Sequence, residues 1–424
     1  MFMRLLPLPL LLSCQGKAPL PVDSAHPADT GVPVEDVGAT PCDAVLWSER
    51  GLLTLGASLR EVPLASCRQH RYALVAPAGA VLSLELRGAA LGVEAALTWP
   101  DHPGWDETLA WLPAGEEGAS RSFTAPRAGE FALLVRTREE GAAGTYDLSV
   151  ACEEGCDALA TRYPVVLVHG WTGWDEVQSY TYFYGVEEHL EEAGAQVFVA
   201  SLDPYNSCEV RATQLAEQVD GFLAEAHANR VNLIAHSQGG LDSRMLISSF
   251  GYGDRVASLT TISTPHQGTP LADMALGLLP GVGEEMLAWL LNWLGATTVG
   301  SQSDALASFD SLSEATVQGS FNAENPDDPR VAYLSYAGHT CTLGLSCDDL
   351  CDVEIQLPHQ LLSAWSGDND GIVPVESAIW GDWRGELPAD HFDEVGQLFG
   401  VTGPHFDHRA FYLGVVEDLA AEGR

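Results

Sequence analysis

Val231-Asn232-Leu233-Ile234-Ala235-His236-Ser237-Gln238-Gly239-Gly240 decides how this chain is read. An apolar run delivers a serine onto a sharp turn flanked by small residues, the G-x-S-x-G pattern with Ala235 in place of the first glycine. Small residues are needed there because the backbone packs closely around the turn, and a larger side chain would block Ser237 Oγ or its approach. The flanking segments fit the same reading. Val210–Ala228 places Leu215, Val219, Phe222 and Leu223 on one helical face, and a second helix is expected from Gly240. Strand, serine turn and helix follow in that order.

Outward from this turn the pattern stays mixed α/β from Cys156 to the end. Buried-strand runs occur at Tyr163–Val168, Gln196–Ala200, Ala257–Ile262 and Val331–Tyr336, with a helical stretch at Tyr184–Ala193. Apolar strands joined by amphipathic helices predict a mostly parallel central sheet covered on its faces. Functional groups should gather beyond the carboxyl ends of those strands.

Before Cys156 the character changes. Short alternating runs at 71–75, 80–86, 92–97, 131–136 and 144–150, separated by Gly, Pro and Asp, predict a small all-β sandwich over 41–155. Trp99, Trp105 and Trp111, with nearby acidic residues, are candidates for a binding face, though packing is the commoner use of such residues. Residues 15–40, rich in Pro, Ala, Gly and Asp, read as a tether. Residues 1–14 carry Arg4, a short leucine-rich run and Leu11-Leu12-Ser13-Cys14, which reads as a bacterial export signal with Cys14 as a candidate lipid-anchored residue.

At 424 residues, two domains are the natural expectation, and an apolar content of 46% supplies sizeable cores. Twenty basic against 59 acidic residues give a formal charge of −39, a surface that repels nucleic acid and anionic membrane faces and favours calcium at carboxylate clusters. Setting Cys14 aside leaves eight of nine cysteines, an even set suited to an oxidising compartment, with bridges expected near 152–156 and within 341–351. Zinc at 341–351 is disfavoured by ligand spacing.

Several motifs then share one order: Tyr163-Pro164-Val165-Val166-Leu167-Val168-His169-Gly170, the Ser237 turn, Thr264-Pro265-His266-Gln267-Gly268-Thr269, Asn369-Asp370-Gly371-Ile372-Val373, and Asp390-His391-Phe392-Asp393-Glu394-Val395-Gly396-Gln397. With these, residues 161–424 resemble the secreted true lipases of bacteria, the Pseudomonas and Burkholderia type of the α/β-hydrolase fold. The β-domain is weakly similar to pre-peptidase C-terminal domains through Gly144-Thr145-Tyr146-Asp147-Leu148. The resemblance implies a triacylglycerol lipase with Ser237 as nucleophile, His391 as base and Asp370 as orienting acid, in the order Ser, acid, His. Asp368 is the rival acid, and His405 and His408 are rival bases. Backbone N–H groups of Trp171 and Gln238 are the expected oxyanion donors, with the Trp171 indole also lining the acyl channel.

The same resemblance implies a structural Ca²⁺ held by Asp393, the carbonyls of Gln397 and Val401, and a second aspartate. Asp349 is the choice for that position, with Asp348 and Asp352 behind it. The apolar stretch around 271–295 corresponds to a lid. A family disulfide near the acid loop has no counterpart after Asn369-Asp370-Gly371. Some members need a membrane-tethered folding helper. The competing functions are a short-chain or polyester esterase and a non-catalytic binding protein on a hydrolase fold.

Overall fold

The computed structural model describes residues 46–88, 92–114, 117–138, 142–171, 182–279, 304–342 and 348–424. The export signal, Cys14, the tether and the lid residues 280–295 lie outside the described residues. Nine strands come first: β1 (Leu46–Leu53), β2 (Ser58–Leu64), β3 (Arg68–Ala76), β4 (Val81–Gly88), β5 (Val93–Thr98), β6 (Thr108–Ala114), β7 (Ala119–Thr124), β8 (Gly129–Thr137) and β9 (Gly144–Glu154). They form two sheets, ordered β1-β3-β8-β5-β6 and β2-β9-β4-β7. The period of two explains the packing. In β4, Leu82, Leu84 and Leu86 are fully buried and face Leu74, Phe131 and Leu133 of the other sheet, while Glu85 is exposed. Each such leucine contributes about 1.5–3 kcal/mol when removed from water.

Past residue 156 a third sheet forms from β10 (Val165–Val168), β11 (Val197–Ala200), β12 (Val231–His236), β13 (Val256–Ile262), β14 (Ala332–Gly338) and β15 (Asp382–Leu387). Its order is β11-β10-β12-β13-β14-β15, and every described pairing is parallel. Helices α1 (Val186–Ala193), α2 (Cys208–Glu225) and α3 (Gln238–Ile247) alternate with the first strands. Successive residues of one strand feed opposite faces. Val165 and Leu167 of β10 pack with Leu190, Tyr412 and Val415, whereas Val166 and Val168 pack with Leu215, Val219 and Leu223 of α2. Because β12 runs between β10 and β13, the turn that follows it opens at the middle of the sheet's carboxyl edge.

The β-domain rests on the α/β domain through specific contacts. Trp99 stacks on His227 at 4.6 Å, Arg127 donates to the His227 carbonyl at 3.2 Å, Asn229 donates to the Pro100 carbonyl at 2.9 Å, and Arg162 pairs with Glu130 at 2.5 Å. Trp99 is therefore packing. Trp105 donates to Gln69 at 2.6 Å beneath the Arg136 guanidinium, and Trp111, 49% exposed, donates to Glu94 at 3.0 Å.

Cys152 and Cys156 are joined, and Cys67 and Cys341 are each in a disulfide whose partner lies outside the described residues. Cys208 and Cys351 are buried free thiols, so the even set of eight is not wholly paired. No helix of the described residues is long and apolar enough to cross a membrane.

Candidate active site

Ser237 closes β12 and precedes α3 with φ 55° and ψ −129°, a left-handed conformation that costs a non-glycine residue about 1–3 kcal/mol. Neighbours hold it there. Its N–H donates to the Ile262 carbonyl at 2.9 Å, and its own carbonyl accepts from Gly240 N–H at 3.1 Å and Thr264 Oγ1 at 2.8 Å. Close approach explains two of the adjacent glycines. A Cβ on Gly170 would fall 2.6 Å from Ser237 Cβ, and one on Gly239 would fall 2.6 Å from the Val168 carbonyl oxygen. The loop after β10 thus lies directly against the serine.

His391 meets Asp370 through Nδ1 and Oδ2 at 2.6 Å, with both side chains buried. The other carboxylate oxygen accepts from the N–H groups of Ile372 at 2.8 Å and Val373 at 2.6 Å, and His391 N–H donates to the Asp370 carbonyl at 2.9 Å. The acid and the histidine loop are therefore tied at backbone and side chain together. The ring of His391 packs 4.4 Å from that of His236, the residue before Ser237, so the His391–Asp370 pair lies against the turn that carries Ser237. Their rivals do not join them. Asp368 is exposed beside His339, His405 is exposed, and His408 bonds the Tyr184 carbonyl at 2.8 Å at the start of the last helix.

The loop His169-Gly170-Trp171 is braced carbonyl by carbonyl. Leu202 N–H donates to His169 Nε2 at 2.9 Å, so Nδ1 carries the proton and donates to the Gly170 carbonyl at 2.9 Å. Burial, with Arg211 nearby, pushes His169 down to about 3, which keeps this tautomer neutral. A trans peptide points its N–H opposite to its C=O, so fixing the Gly170 carbonyl fixes the direction of Trp171 N–H. Arg211, wholly buried on α2, donates to the His169 carbonyl at 2.6 Å and to Asp242 at 2.7 Å. Gln238 is anchored as well, donating to the Asn206 carbonyl at 2.8 Å and accepting from Ser308 Oγ at 2.9 Å. The Trp171 indole packs against Phe309 at 4.9 Å and Tyr205 at 5.5 Å.

Beside the triad candidates lies a buried group that the motifs did not single out. His236 sits between Tyr182 Oη at 2.6 Å and Glu394 Oε2 at 2.7 Å, and Ser263 Oγ donates to the other Glu394 oxygen at 2.5 Å. Burial pushes Glu394 well above the ordinary carboxyl range, and burial with His391 nearby holds His236 well below its own. Arg211 was legible: a charge at position i of the stripe Arg211, Leu215, Val219 demands a buried partner. His236 and Glu394 lie 158 residues apart and leave no local pattern.

Carboxylate oxygens of Asp349, Asp390 and Asp393 lie within 4.8 Å of one another, all three residues buried. Burial pushes Asp393 up to about 7, and Asp349 is raised for the same first reason. Gly403 N–H donates to Asp393 Oδ2 at 2.7 Å, closing the loop that carries Gln397 and Val401 back onto the cluster. Asp348 is exposed, and Asp352 contributes its N–H to Asp390 at 2.7 Å. Asp390 also receives the N–H groups of Phe392 and Asp393 at 3.0 Å each, so it braces the turn. At the start of the apolar stretch expected to form a lid, α4 (Pro270–Ala275) buries Leu271 and Met274 against Leu362.

Comparison with known proteins gives the family. A family model described as the alpha/beta hydrolase fold matches residues 163–342. The chain is 34% identical over 262 residues to a triacylglycerol lipase of Vibrio cholerae, covering 57% of this chain and 82% of the relative. It is 31% identical over 335 residues to a triacylglycerol lipase of Burkholderia plantarii, covering 67% and 92%. The structure is similar in fold to a metagenomic carboxyl esterase, with TM-score 0.50 and 18% identity over 61% of this chain and 76% of the other. The likeness of the β-domain to a pre-peptidase C-terminal domain of Bacillus anthracis collagenase is slight, with TM-score 0.21 and 17% identity over 24% of this chain and 96% of the other, and carries no argument. The chain belongs to the α/β-hydrolase family of bacterial lipases and esterases, enzymes that act on ester bonds.

Proposed function

We propose that the protein hydrolyses long-chain triacylglycerols through an acyl-enzyme on Ser237. The observation that carries this reading is the 2.6 Å His391–Asp370 pair, with His391 packed on His236, the neighbour of the strained Ser237. His391 takes the proton from Ser237 Oγ as the oxygen attacks the ester carbonyl, and Asp370 orients the ring and stabilises the imidazolium. The protonated ring then gives its proton to the departing alcohol. Water, activated by the same base, attacks the acyl-serine and releases the fatty acid. Backbone N–H groups of Trp171 and Gln238 bind the oxyanion of both tetrahedral intermediates more strongly than the ester carbonyl, each contributing about 3–4 kcal/mol to the barrier.

The apolar surfaces support a long acyl chain. Trp171 and Phe309 flank the serine loop, and the cluster of Leu271, Met274 and Leu362 begins the segment assigned to a lid. A cleft of this kind rewards each added methylene for as long as it can be buried. The domain division is assigned as 41–155 for the β-sandwich and 156–424 for the hydrolase. Export with a lipid anchor at Cys14 is consistent with the Cys152–Cys156 bridge, since such bonds persist in oxidising compartments.

The donor set at Asp349 and Asp393 fits Ca²⁺: clustered buried carboxylates raised by burial and mutual repulsion, on a loop offering the carbonyls of Gln397 and Val401. When bound, the ion neutralises those carboxylates and ties down the loop two residues past His391. The test is an ester series from acetate to a long-chain acylglycerol emulsion, with wild type and Ser237→Ala, each with and without chelator. Rates that rise with chain length, vanish in the variant and fall with chelation support the reading. A maximum on short soluble esters replaces it with a short-chain esterase.

A further inference from the structure

We propose a transition-metal site, independent of the hydrolase centre, in which Asp101, His102 and His227 bind a zinc-class dication between the β-domain and the α/β domain. Asp101 and His102 lie in the turn after β5, and His227 follows the C-terminus of α2, 126 residues later in the chain. Ligand atoms of the three lie within 4.8 Å of one another. Both histidines aim Nδ1 at one carboxylate oxygen, His102 at 2.9 Å and His227 at 3.3 Å from Asp101 Oδ2. Two imidazole nitrogens crowd this oxygen while the other, Asp101 Oδ1, is buried and has no hydrogen-bond partner among the described residues. An unsatisfied buried carboxylate oxygen is costly and calls for an explanation, and a cation held at this carboxylate, whose charge acts on both oxygens, supplies one.

The geometry and the donor set select the metal. Tetrahedral zinc with nitrogen and oxygen ligands near 2.0–2.1 Å separates neighbouring ligand atoms by about 3.3 Å. The His227 contact already has that length, and His102 must open by about 0.4 Å. The side chain of His102 is 70% exposed and free to do so. Two imidazoles with one carboxylate suit Zn²⁺ better than the oxygen-seeking Ca²⁺. The carbonyl end of α2 adds a favourable potential for a cation, while Arg127, which draws on Asp101, opposes it. His227 is held in place for ligation by stacking on Trp99 and by its carbonyl's bond to Arg127. A bound ion would link the Asp101 turn to the end of α2 and so lock the two domains together.

The site can be tested on the full, untagged chain with saturating Ca²⁺ present, so that the acidic cluster near His391 is occupied. Zinc chloride is titrated calorimetrically into wild type, His102→Ala and His227→Ala, and thermal unfolding is followed with and without zinc. The expected result is one zinc equivalent bound at least tenfold more weakly in each variant, with a zinc-dependent rise in Tm seen in wild type and lost in both. His227→Ala removes a stacked residue and can loosen the interface by itself. His102→Ala alters an exposed side chain and should leave the zinc-free Tm unchanged. Equal zinc affinity and stoichiometry in wild type and His102→Ala would overturn the assignment, as would wild type that binds no zinc at micromolar concentrations.

Discussion

Replacing Gly170 by alanine isolates the contact between the proposed oxyanion loop and the proposed nucleophile, Ser237. The new Cβ would stand 2.6 Å from Ser237 Cβ and 2.9 Å from both the His236 carbonyl oxygen and Tyr182 Oη. Carbon atoms pack at about 3.5–4.0 Å, so the loop and the serine turn must separate by about 1 Å. The turn cannot yield easily, because the Ile262, Gly240 and Thr264 bonds fix Ser237 on three sides. The loop is braced by Arg211 and His169, so the strain is shared across a rigid network. A misplacement of about 1 Å costs around 10²-fold in rate, and loss of an oxyanion donor about 10²–10³-fold. Gly170→Ala should therefore lower kcat by about 10²–10³ with KM little changed. Overpacking should cost about 1–3 kcal/mol of stability. The assay is steady-state hydrolysis of a soluble p-nitrophenyl ester, normalised by active-site titration, beside a thermal melt. Gly221→Ala on α2, where an added Cβ meets no atom within 4 Å, is the control, and it should gain about 1 kcal/mol with kcat unchanged. If Gly170→Ala keeps a third or more of wild-type kcat and melts at the wild-type temperature, the close loop–serine contact is not what sets the rate.

Three further outcomes follow from the same network. Asp370→Asn should retain the fold and lose about 10³–10⁴ in kcat, since the amide no longer orients the proper His391 tautomer; a kcat within tenfold of wild type would contradict the assigned role. Arg211→Leu leaves Asp242 buried without its partner, although burial already pushes that carboxyl up to about 6 with Arg211 in place. It should cost about 3–5 kcal/mol in urea unfolding, and Arg211→Leu/Asp242→Leu should recover much of the loss. His169 gives a pH dependence: the unfolded ring takes a proton near 6.5, whereas the buried ring resists to about 3. Stability from this group is complete above the unfolded value and is lost as pH falls from 6.5 toward 3, by up to roughly 5 kcal/mol. Unfolding midpoints for wild type and His169→Asn between pH 8 and 4.5 should show a shallower acid slope in the variant.

The strands that the sequence conceals share a position. β1, β6, β2 and β7 are the edges of the two β-domain sheets, and β15 is an edge of the third. An edge strand is half solvated and needs fewer apolar residues, as in β7, where Phe123 alone is buried. Pro63 and Pro113 lie in β2 and β6, where a missing N–H is tolerated. Interior strands such as β4 and β12 must bury residues on one or both faces, so their alternation or continuous apolar run shows. The candidate site divides in the same way. Ser237, Asp370 and His391 stand in local motifs that reflect turn geometry, and Asp349 in an acidic run whose depth the sequence does not display. The Tyr182–His236–Glu394 group and the Asp101–His227 contact are made by residues far apart in the chain, and no window of sequence contains them.

The most direct test of the account is covalent trapping of the nucleophile. The full chain is treated with diethyl p-nitrophenyl phosphate, residual esterase activity is followed, and the modified peptide is located by mass spectrometry. One phosphoryl adduct per chain on Ser237, formed in step with complete loss of ester turnover and absent in His391→Ala, is the result predicted. Inactivation with the adduct on another residue, or full turnover by a chain modified at Ser237, would contradict the assignment of the active site.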